Sequence, residues 1–283
     1  MLIDELFKEP RRPLIMGIVN VTPDSFSDGG LFLDRDNAVA HALALADDGA
    51  DIVDIGGEST RPPGKTYGAG SASVSVDEEL ARVIPVIDRV HRERPSLVIS
   101  VDTQKSVVAS AAIAAGATIV NDVSAGRFDD AMWSVVSTAD VMYVLMHGHN
   151  PHDRASLELI HYDDVVSDVH HFLAERISGA RSAGVRSIVA DVGIGFAKGH
   201  DDNIRLLREH RRFVDLGVPL LVGASRKAFL GRMLGDNISA NERDAASLAV
   251  HATAAINGAT IIRTHDVRST LQFFTVFNRI API

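Results

Sequence analysis

The chain has 283 residues, of which 46% are hydrophobic, and this is enough apolar material for one large core. Its formal net charge of −9 argues against nonspecific nucleic-acid binding, because such binding needs a surface that neutralises phosphates. No cysteine is present, which excludes disulfides, thiolate metal sites and cysteine nucleophiles.

The N-terminal segment, residues 1–13, mixes acidic and basic side chains where a signal peptide would need an uninterrupted apolar run. The apolar runs further along are as short as strands or are broken by charges, so we expect no membrane span. We therefore expect a cytoplasmic protein that binds neither membranes nor nucleic acids. Because no linker or low-complexity tract follows, we expect an N-terminal extension over 1–13 and one domain over 14–283.

A short motif recurs along the chain, as "GADIVD" from residue 49, "GATIVN" from 116 and "GATIIR" from 258. Each copy follows an alanine-rich segment with helical periodicity, so its glycine is predicted to end a helix and its β-branched run to form a buried strand. A looser copy, "AGVRSIVADVG", starts at 183.

Strands are predicted from such runs, with helix-like segments between them. They span residues 14–20, 51–57, 97–103, 118–124, 141–147, 187–193, 219–225 and 260–266. Strands this apolar must be covered on both faces, and strict alternation with helices indicates parallel pairing. We therefore predict a (β/α)8 TIM barrel in a single α/β domain, with a doubly wound open sheet as the alternative.

A polar residue stands at or near the end of almost every predicted strand. These residues are Asn20, Glu58, Asp102, Asn121, Asp122, His147, Asp191, Ser225, Arg263 and His265. In a barrel the carboxyl ends of all strands meet at one rim, where the active site lies. The pattern therefore predicts one shared cavity, although polar residues could also simply mark the strand ends.

Two cations share the last predicted strand. Arg263 and His265 are two residues apart, so their side chains point the same way and can address one anion. Arginine suits bidentate contact with phosphate, which makes phosphate or pyrophosphate the natural ligand. The alternative is that Arg263 forms a salt bridge with a carboxylate of the rim.

The segment "GASRKAFLGRML" combines a predicted helix cap with two further cations. Ser225 is a plausible N-cap, which would put Arg226 and Lys227 in the first helical turn, where the macrodipole disfavours cations. Such a position suggests that Lys227 hydrogen-bonds a polar heterocycle or carboxylate in the cavity. The alternative is that both basic side chains are solvated at the surface.

Asp102 and Asp191 end apolar strands, where a carboxylate must be hydrogen-bonded or paired. With Asn121 they offer acceptors and an amide that suit the donor-rich edge of an aminopyrimidine ring, or they could hold one another in place. Paired carboxylates also occur in glycosidases, but aromatic residues make up only 5% of the chain, too few to favour sugar stacking.

Three loops that follow strands complete the pattern. The segment "MHGHNPHD" lacks a standard zinc spacing, so we expect His149 and His152 to face solvent, with only His147 at a strand end. The loops "TPDSFSDGG" and "GGESTRPPGKTYGAGSAS" are rich in glycine, proline and small polar residues. Such loops can close over a substrate and exclude water.

The chain resembles the dihydropteroate synthase family in an ordered series of blocks, which read "MGIVNVTPDSFSDGG", "DIGGESTRPPG", "SVDT", "NDVSAG", "DVGIGFAKG", "GASRKAFLG" and "RTHDV". The resemblance implies a barrel that joins 6-hydroxymethyl-7,8-dihydropterin diphosphate to 4-aminobenzoate. The products would be pyrophosphate and 7,8-dihydropteroate for folate synthesis. It also implies a homodimer formed by barrel helices and a target of sulfonamide drugs, which mimic aminobenzoate.

The resemblance also implies a role for individual residues. The pterin would be bound by Asp102, Asn121, Asp191 and Lys227, and the diphosphate by Asn20, Arg61, Arg263 and His265. Aminobenzoate would contact Phe26, Thr60, Pro62 and Ser225. A Mg²⁺ ion is implied, with Asn20 and Asp24 as candidate contacts, and the catalytic residues would be Asp102, Lys227, Arg263 and His265.

The chain departs from the family pattern at several positions. Val192 replaces a usual proline, Ala197 stands where glycine is common, "MHGHN" follows the fifth strand, and "KTYGAGSAS" lengthens the second loop. Two other functions remain open from sequence. One is a pterin-dependent methyltransferase, which has no need of the "SRK" and "RTH" anion site, and the other is a catalytically silent paralogue.

Overall fold

A computed structural model describes residues 12–21, 30–58, 74–148, 160–235 and 238–281, without the side chains of 30–34. Parallel strands pair in chain order and close into a barrel, with β8 beside β1. The strands are β1 (Leu14–Asn20), β2 (Ile52–Gly56), β3 (Val98–Asp102), β4 (Ile119–Asp122), β5 (Met142–Met146), β6 (Ile188–Asp191), β7 (Leu220–Val222) and β8 (Ile261–Thr264). The predicted barrel is therefore confirmed, and each strand lies within the segment predicted for it.

Helices cover the outside of this barrel. They are α1 (Gly30–Asp47), α2 (Val76–Glu93), α3 (Ser106–Ala114), α4 (Met132–Ala139), α5 (Val165–Ser182), α6 (His200–Arg208), α7 (Ala228–Leu234), α8 (Asp244–Ile256) and α9 (Val267–Ile280). Short 3₁₀ helices span His210–Leu216 and Ala240–Arg243. Among the helices of the described ranges, none is both long and apolar enough to cross a bilayer.

The glycine of each recurring motif ends a helix, as predicted. Gly49, Gly116, Gly184 and Gly258 each follow the end of a helix by two residues and have φ between 91° and 116°. This left-handed conformation is strained for residues with a Cβ, so glycine lets the chain leave the helix and enter the next strand. The repeated sequence thus marks a repeated helix-to-strand turn.

The barrel interior changes from apolar to polar along the strands. Towards the amino-terminal ends of the strands the interior is filled by an apolar cluster. Its members are Leu14, Met16, Ile52, Val98, Ile119, Met142, Val144, Val189, Leu221 and Ile261. A second, larger cluster fills the space between the strands and the helices. Because side chains alternate along a strand, residues two positions further share the interior with this cluster but lie nearer the carboxyl-terminal mouth. The polar site is therefore built on an apolar floor.

The predicted N-terminal extension, 1–13, lies almost wholly outside the described residues and stays a prediction. Its last residues are held to the barrel by Arg12, which forms a salt bridge with Asp51 at 2.6 Å.

Candidate active site

The mouth of the barrel is formed by side chains from strands that are far apart in sequence. Asn20, Asp102, Asn121, Asp191 and Arg263 all lie on interior-facing positions near the carboxyl ends of their strands. The register places Asp102 beside Asn121 and Gly56, with only glycine between Asp102 and the end of β1. The predicted convergence of these residues on one rim is therefore confirmed.

A buried ionic network crosses this mouth. The Arg263 guanidinium donates from Nε to Asp54 Oδ2 at 2.6 Å and from Nη2 to Asp102 Oδ2 at 3.0 Å. Asn121 Nδ2 donates to the same Asp54 oxygen at 3.0 Å. The Arg263 side chain is 21% exposed, whereas Asp54 is fully buried. The alternative foreseen for Arg263, a salt bridge to a rim carboxylate, is what the structure shows.

Asp54 was not among the residues singled out in the sequence, yet it joins two that were. It lies in the middle of the apolar strand β2, so a search of strand ends does not find it. Its other oxygen, Oδ1, is buried and has no hydrogen-bond partner among the described residues. A carboxylate at an interior position of a buried strand is the signal that could have identified it, because such a group must be paired.

The network changes the acidity of Asp102. Burial, together with the nearby Asp54 carboxylate, raises the pKa of the Asp102 carboxyl to about 7, while Arg263 opposes the rise. Asp102 is thus divided between its acid and carboxylate forms near neutral pH. A carboxyl in this condition can accept a hydrogen bond from a heterocycle or stabilise a positive charge that develops beside it.

Asp191 lies on the opposite side of the mouth, at the end of β6. Its Oδ1 accepts a hydrogen bond from the Gly193 amide at 2.7 Å, and the side chain is buried. Burial raises the pKa of Asp191, while the Gly193 amide and the charges of Lys227, Lys198 and Arg263 oppose the rise. The influence of Lys227 and Arg263 on Asp191 shows that the carboxylates and the cations share one cavity.

Lys227 lies at the same mouth, just before α7. Its Nζ is 3.8 Å from the centre of the Phe196 ring, which is close enough for a cation–π interaction. The ammonium group is therefore held on an aromatic face in the loop that follows Asp191. This contact argues against the alternative in which Lys227 is only a solvated surface cation.

The predicted N-cap of α7 is wrong. The helix begins at Ala228 with Lys227 as its N-cap, so Arg226 and Lys227 precede the first turn. Ser225 Oγ instead lies 3.0 Å from His265 Nδ1 and accepts the His265 amide at 3.2 Å. Arg226 has φ of 60° and bonds both oxygens of Asp244, so the chain turns sharply between the serine and the helix.

His265 and Ser225 therefore form a pair at the β7 and β8 ends. The hydroxyl of Ser225 fixes one ring nitrogen and the backbone of His265. Because Nδ1 is engaged in this way, the Ser225 hydroxyl helps to set the orientation of the His265 ring. The predicted helix-capping serine therefore pairs with the histidine that the sequence assigns to an anion site.

A second buried ionic cluster lies beside the mouth, at the end of β2. Lys105 Nζ donates to Glu58 Oε2 at 2.7 Å and also contacts Glu79 of α2. Glu58 Oε1 accepts the Val74 amide at 3.3 Å, so this residue connects both described ends of the second loop. The polar residue predicted to end β2 therefore has an anchoring role.

The fifth and sixth strand ends are joined by His147 and Lys198. Lys198 Nζ lies 2.9 Å from His147 Nδ1, and the His147 ring packs edge-on against Phe172 at 4.8 Å. Both side chains are buried. The altered block "MHGHN" thus places its histidine inside the protein. His149 and His152 lie outside the described residues, and their predicted exposure stays a prediction.

Several residues implied by the family resemblance fall outside the part of the chain that the structure describes. These are Asp24 and Phe26 of the first loop, and Thr60, Arg61 and Pro62 of the second. Asn20 is described, is half-buried, and pairs with Gly56 in the β1–β2 ladder. No cluster of three or more histidine and carboxylate side chains able to hold a metal occurs within the described ranges.

The amide oxygen of Asn20 is nevertheless a hard donor of the kind that Mg²⁺ prefers, and it lies at the mouth. Asn20 therefore fits the predicted metal contact as one ligand among several. Because Mg²⁺ usually keeps several waters, a single protein oxygen with substrate phosphates and one further carboxylate would suffice.

Comparison with known proteins identifies the family to which the chain is similar. Residues 16–265 match the family described as "Pterin binding enzyme". A dihydropteroate synthase of Bacillus subtilis (strain 168) is 44% identical over 259 residues, which is 91% of this chain and 85% of that protein. The match thus extends over nearly all of the barrel and includes every strand end described above.

Solved structures are equally similar. A Xanthomonas albilineans dihydropteroate synthase with 4-aminobenzoic acid has a TM-score of 0.87 and 47% identity, covering 96% of this chain and 94% of that one. A Yersinia pestis dihydropteroate synthase with a sulfonamide drug has a TM-score of 0.85 and 36% identity, covering 95% and 94%. The chain therefore belongs to the dihydropteroate synthase family of pterin-binding enzymes.

Proposed function

We propose that the mouth of the barrel performs the family's reaction through the residues that it brings together. The enzyme is a transferase that joins 6-hydroxymethyl-7,8-dihydropterin diphosphate to 4-aminobenzoate, giving 7,8-dihydropteroate and pyrophosphate for folate synthesis. The observation that carries the residue-level proposal is the network of Arg263, Asp54, Asp102 and Asn121. The network places a fixed cation beside hydrogen-bond acceptors. The cation suits the anionic group of the substrate, and the acceptors suit the flat heterocycle to which that group is attached.

The pterin is bound by Asp102, Asn121, Asp191 and Lys227. The aminopyrimidine edge presents N–H donors, for which Asp191 Oδ2 is available because its Oδ1 already accepts the Gly193 amide. The amide of Asn121 is oriented by its bond to Asp54, which directs its oxygen away from that carboxylate. Lys227 donates to a pterin acceptor from its position over Phe196.

The diphosphate is bound by Asn20, Arg61, Arg263 and His265. A guanidinium has five N–H donors, and the two carboxylates use one each from Nε and Nη2. Arg263 therefore keeps donors for a phosphate oxygen without leaving its ion pairs. Because those pairs fix the guanidinium plane before the ligand arrives, little side-chain entropy is lost on binding.

The reaction breaks the carbon–oxygen bond between the pterin methylene and the diphosphate. The carbon becomes positively charged, with the charge delocalised into the pterin, and the departing pyrophosphate takes the bond electrons. Arg263 and His265 stabilise that leaving group, and the Asp102 carboxylate stabilises the cation. The neutral arylamine then attacks the carbon and loses a proton to solvent, so no strong general base is required.

Aminobenzoate binds beside the pterin methylene. Phe26, Thr60, Pro62 and Ser225 are proposed to contact it, and the first two strand-following loops exclude water that would otherwise capture the cation. Of these four residues only Ser225 is described, and its hydroxyl lies at the mouth next to His265. Because sulfonamides mimic aminobenzoate, we propose that they compete for this part of the site.

Asn20 and Asp24 are proposed to contact a Mg²⁺ ion. Bound there, Mg²⁺ would neutralise negative charge on the diphosphate. Removing divalent ions with a chelator should reduce turnover, and adding Mg²⁺ should restore it. Full activity in the chelated enzyme would remove the ion from the proposal.

We further propose a homodimer in the cytoplasm. Large apolar side chains remain exposed on α7, α8 and α9, and these are Met233, Leu234, Ile256, Val276 and Ile280. An exposed apolar surface of this kind is typical of a protein interface. Sedimentation of the purified protein tests the dimer, and fractionation of cells that express it tests the location.

The direct test of function is to incubate the purified protein with both substrates and Mg²⁺ and to measure pyrophosphate and dihydropteroate. The matched variant is Arg263→Lys, which keeps the charge but replaces the planar, five-donor guanidinium with an ammonium that cannot form a bidentate contact with phosphate. We expect its KM for the pterin diphosphate to rise about tenfold or more, with a smaller change for aminobenzoate. No product from the unmodified protein would overturn the proposed function.

A further inference from the structure

The loop from Asp191 to Lys198 has an unusual backbone. Gly193, Gly195 and Ala197 all have positive φ, at 70°, 81° and 58°. A chain that alternates between left-handed and ordinary conformations cannot form the regular hydrogen bonds of a helix or strand. Its carbonyl groups therefore need another donor.

Lys198 supplies that donor from within the loop itself. Its Nζ lies 3.0 Å from Gly193 O, 2.9 Å from Phe196 O and 3.2 Å from His147 O. His147 Nδ1 is a further partner at 2.9 Å. An ammonium has three protons to share among these four acceptors, one more than a neutral amine can donate.

The amine is enclosed rather than exposed. Lys198 is only 6% exposed, and burial lowers its pKa to about 7. A buried lysine without an adjacent carboxylate in contact is costly, because the charge must be solvated by dipoles. Here the carbonyl groups of the loop solvate the ammonium group in place of water, and the loop backbone surrounds the amine.

The same loop carries the contacts of two residues that bind pterin in the proposed function. The Gly193 amide fixes the Asp191 carboxylate at 2.7 Å, and the Phe196 ring lies under the Lys227 ammonium at 3.8 Å. A Cβ added to Gly195 would lie 2.9 Å from Lys227 Cδ, so the loop backbone packs directly against that side chain. Lys198 bonds the carbonyls of Gly193 and Phe196, the residues that make the first two contacts.

We propose that Lys198 is a positioning residue of the pterin site, whose buried amine shapes the 192–198 loop and so aims Asp191 and Lys227 at the pterin. This inference rests on the proposed function. Lys198 itself lies behind the loop and acts through Gly193 and Phe196. In the proposed function the diphosphate is held by Arg263 and His265, which lie outside this loop. A change at Lys198 should therefore leave diphosphate binding intact.

The test compares two ligands in Lys198→Met, which keeps the length of the side chain and removes the amine. Calorimetry should show binding of the pterin diphosphate weakened about tenfold or more. Binding of inorganic pyrophosphate with Mg²⁺, which in the proposed function uses Arg263 and His265 rather than Asp191 and Lys227, should change by less than about twofold. Lys198→Gln, whose amide can donate two hydrogen bonds, should recover part of the lost affinity.

Tyr162→Phe provides a matched control in the same region. It removes a hydroxyl that lies 3.4 Å from Ala197 O, and leaves the amine in place. We expect unchanged binding of both ligands in this variant. Thermal unfolding of all variants measures how much each change alters general stability.

Several results would overturn the proposal. Unchanged pterin affinity in a folded Lys198→Met variant would show that the amine does not aim the site. Equal losses for pterin diphosphate and pyrophosphate, or failure of both Lys198 variants to fold, would assign Lys198 to the stability of the whole barrel. If the unmodified protein itself neither binds pterin diphosphate nor forms dihydropteroate, the proposed function fails instead.

Discussion

Replacing Asp54 with asparagine tests whether the network at the mouth holds Arg263 and tunes Asp102. The change keeps the size of the side chain and removes its charge. Asp54 Oδ2 now accepts from Arg263 Nε at 2.6 Å and from Asn121 Nδ2 at 3.0 Å. The asparagine oxygen can still accept a hydrogen bond. Its amide group, however, places two new N–H donors in a buried site, and the described residues there do not offer an acceptor for each of them.

The expected loss of stability follows from those contacts. Turning a charge-assisted hydrogen bond into a neutral one costs about 1 kcal/mol, and burying an unsatisfied donor adds about 1–3 kcal/mol. Relief of the repulsion between Asp54 and Asp102 returns a part of this. We therefore expect unfolding in urea to show a loss of roughly 2 kcal/mol, below the cost of deleting one partner of an isolated buried pair.

The second expected result concerns pH. Burial and the Asp54 charge together raise the pKa of Asp102 to about 7, so the ionised form of Asp102 is reached only near neutral pH. If pterin binding uses the carboxylate, kcat/KM rises with pH through this range. Without the Asp54 charge, the pKa of Asp102 falls and the rise in kcat/KM should move to lower pH.

The control is Asp244→Asn, which removes a carboxylate from another arginine pair, that with Arg226, where the side chains are 25% and 30% exposed. It should cost less stability because water screens the pair, and it should leave the pH profile of kcat/KM unchanged. The reasoning is refuted if Asp54→Asn has the stability and pH profile of the unmodified enzyme.

Three further predictions test local parts of the structure. Ala197 has φ of 58°, so Ala197→Gly should stabilise the protein by roughly 0.5–1 kcal/mol in urea unfolding, and a loss would contradict the left-handed loop. Burial lowers the pKa of both His210 and His251 to about 4, so the unfolded chain binds protons first as pH falls below about 6.5. Replacing either histidine with leucine should reduce the loss of unfolding free energy between about pH 6.5 and 4.5 by roughly 2 kcal/mol, and an unaltered slope would mean that the ring is not buried in the neutral form. Ser225→Ala removes the partner of His265 Nδ1 and should weaken pyrophosphate binding several-fold in calorimetry, with Ser225→Thr close to the unmodified protein, whereas equal affinities in all three would remove the hydroxyl from the anion site.

The fold could be predicted because it is repeated in the sequence. Each glycine at a helix end and each β-branched run reports local physics, namely a left-handed turn and a strand covered on both faces. The predicted strands extend too far at their carboxyl ends. For example, β7 is predicted to reach residue 225 but ends at Val222. The polar residues that follow the strands lie at the mouth of the barrel, beyond the last strand-to-strand hydrogen bonds. Hydrophobic periodicity does not show where this pairing stops.

The site was predicted only in part because some of its contacts are not local. Asp102 and Arg263 were identified as polar strand ends, but their partner Asp54 lies inside an apolar run and is separated from Arg263 by most of the chain. Ser225 matched an N-cap by sequence, yet its hydroxyl is taken by His265 from the neighbouring strand. Tertiary partners therefore overrode the local pattern in both cases.

The charges at the mouth bear on how the proposed Mg²⁺ ion and Arg61 would contribute to diphosphate binding. Among the described residues, the carboxylates of Asp54, Asp102 and Asp191 are opposed by Arg263, Lys227 and Lys198, so these cations at most balance the fully ionised cluster. When fully ionised, such a cluster offers pyrophosphate no net positive charge, and the raised pKa of Asp102 and of Asp191 reduces its negative charge near neutral pH. Further positive charge, from the proposed Mg²⁺ ion or from Arg61, would therefore strengthen diphosphate binding. We expect pyrophosphate to bind more weakly without Mg²⁺ than with it, and equal affinities would remove the ion from the diphosphate site.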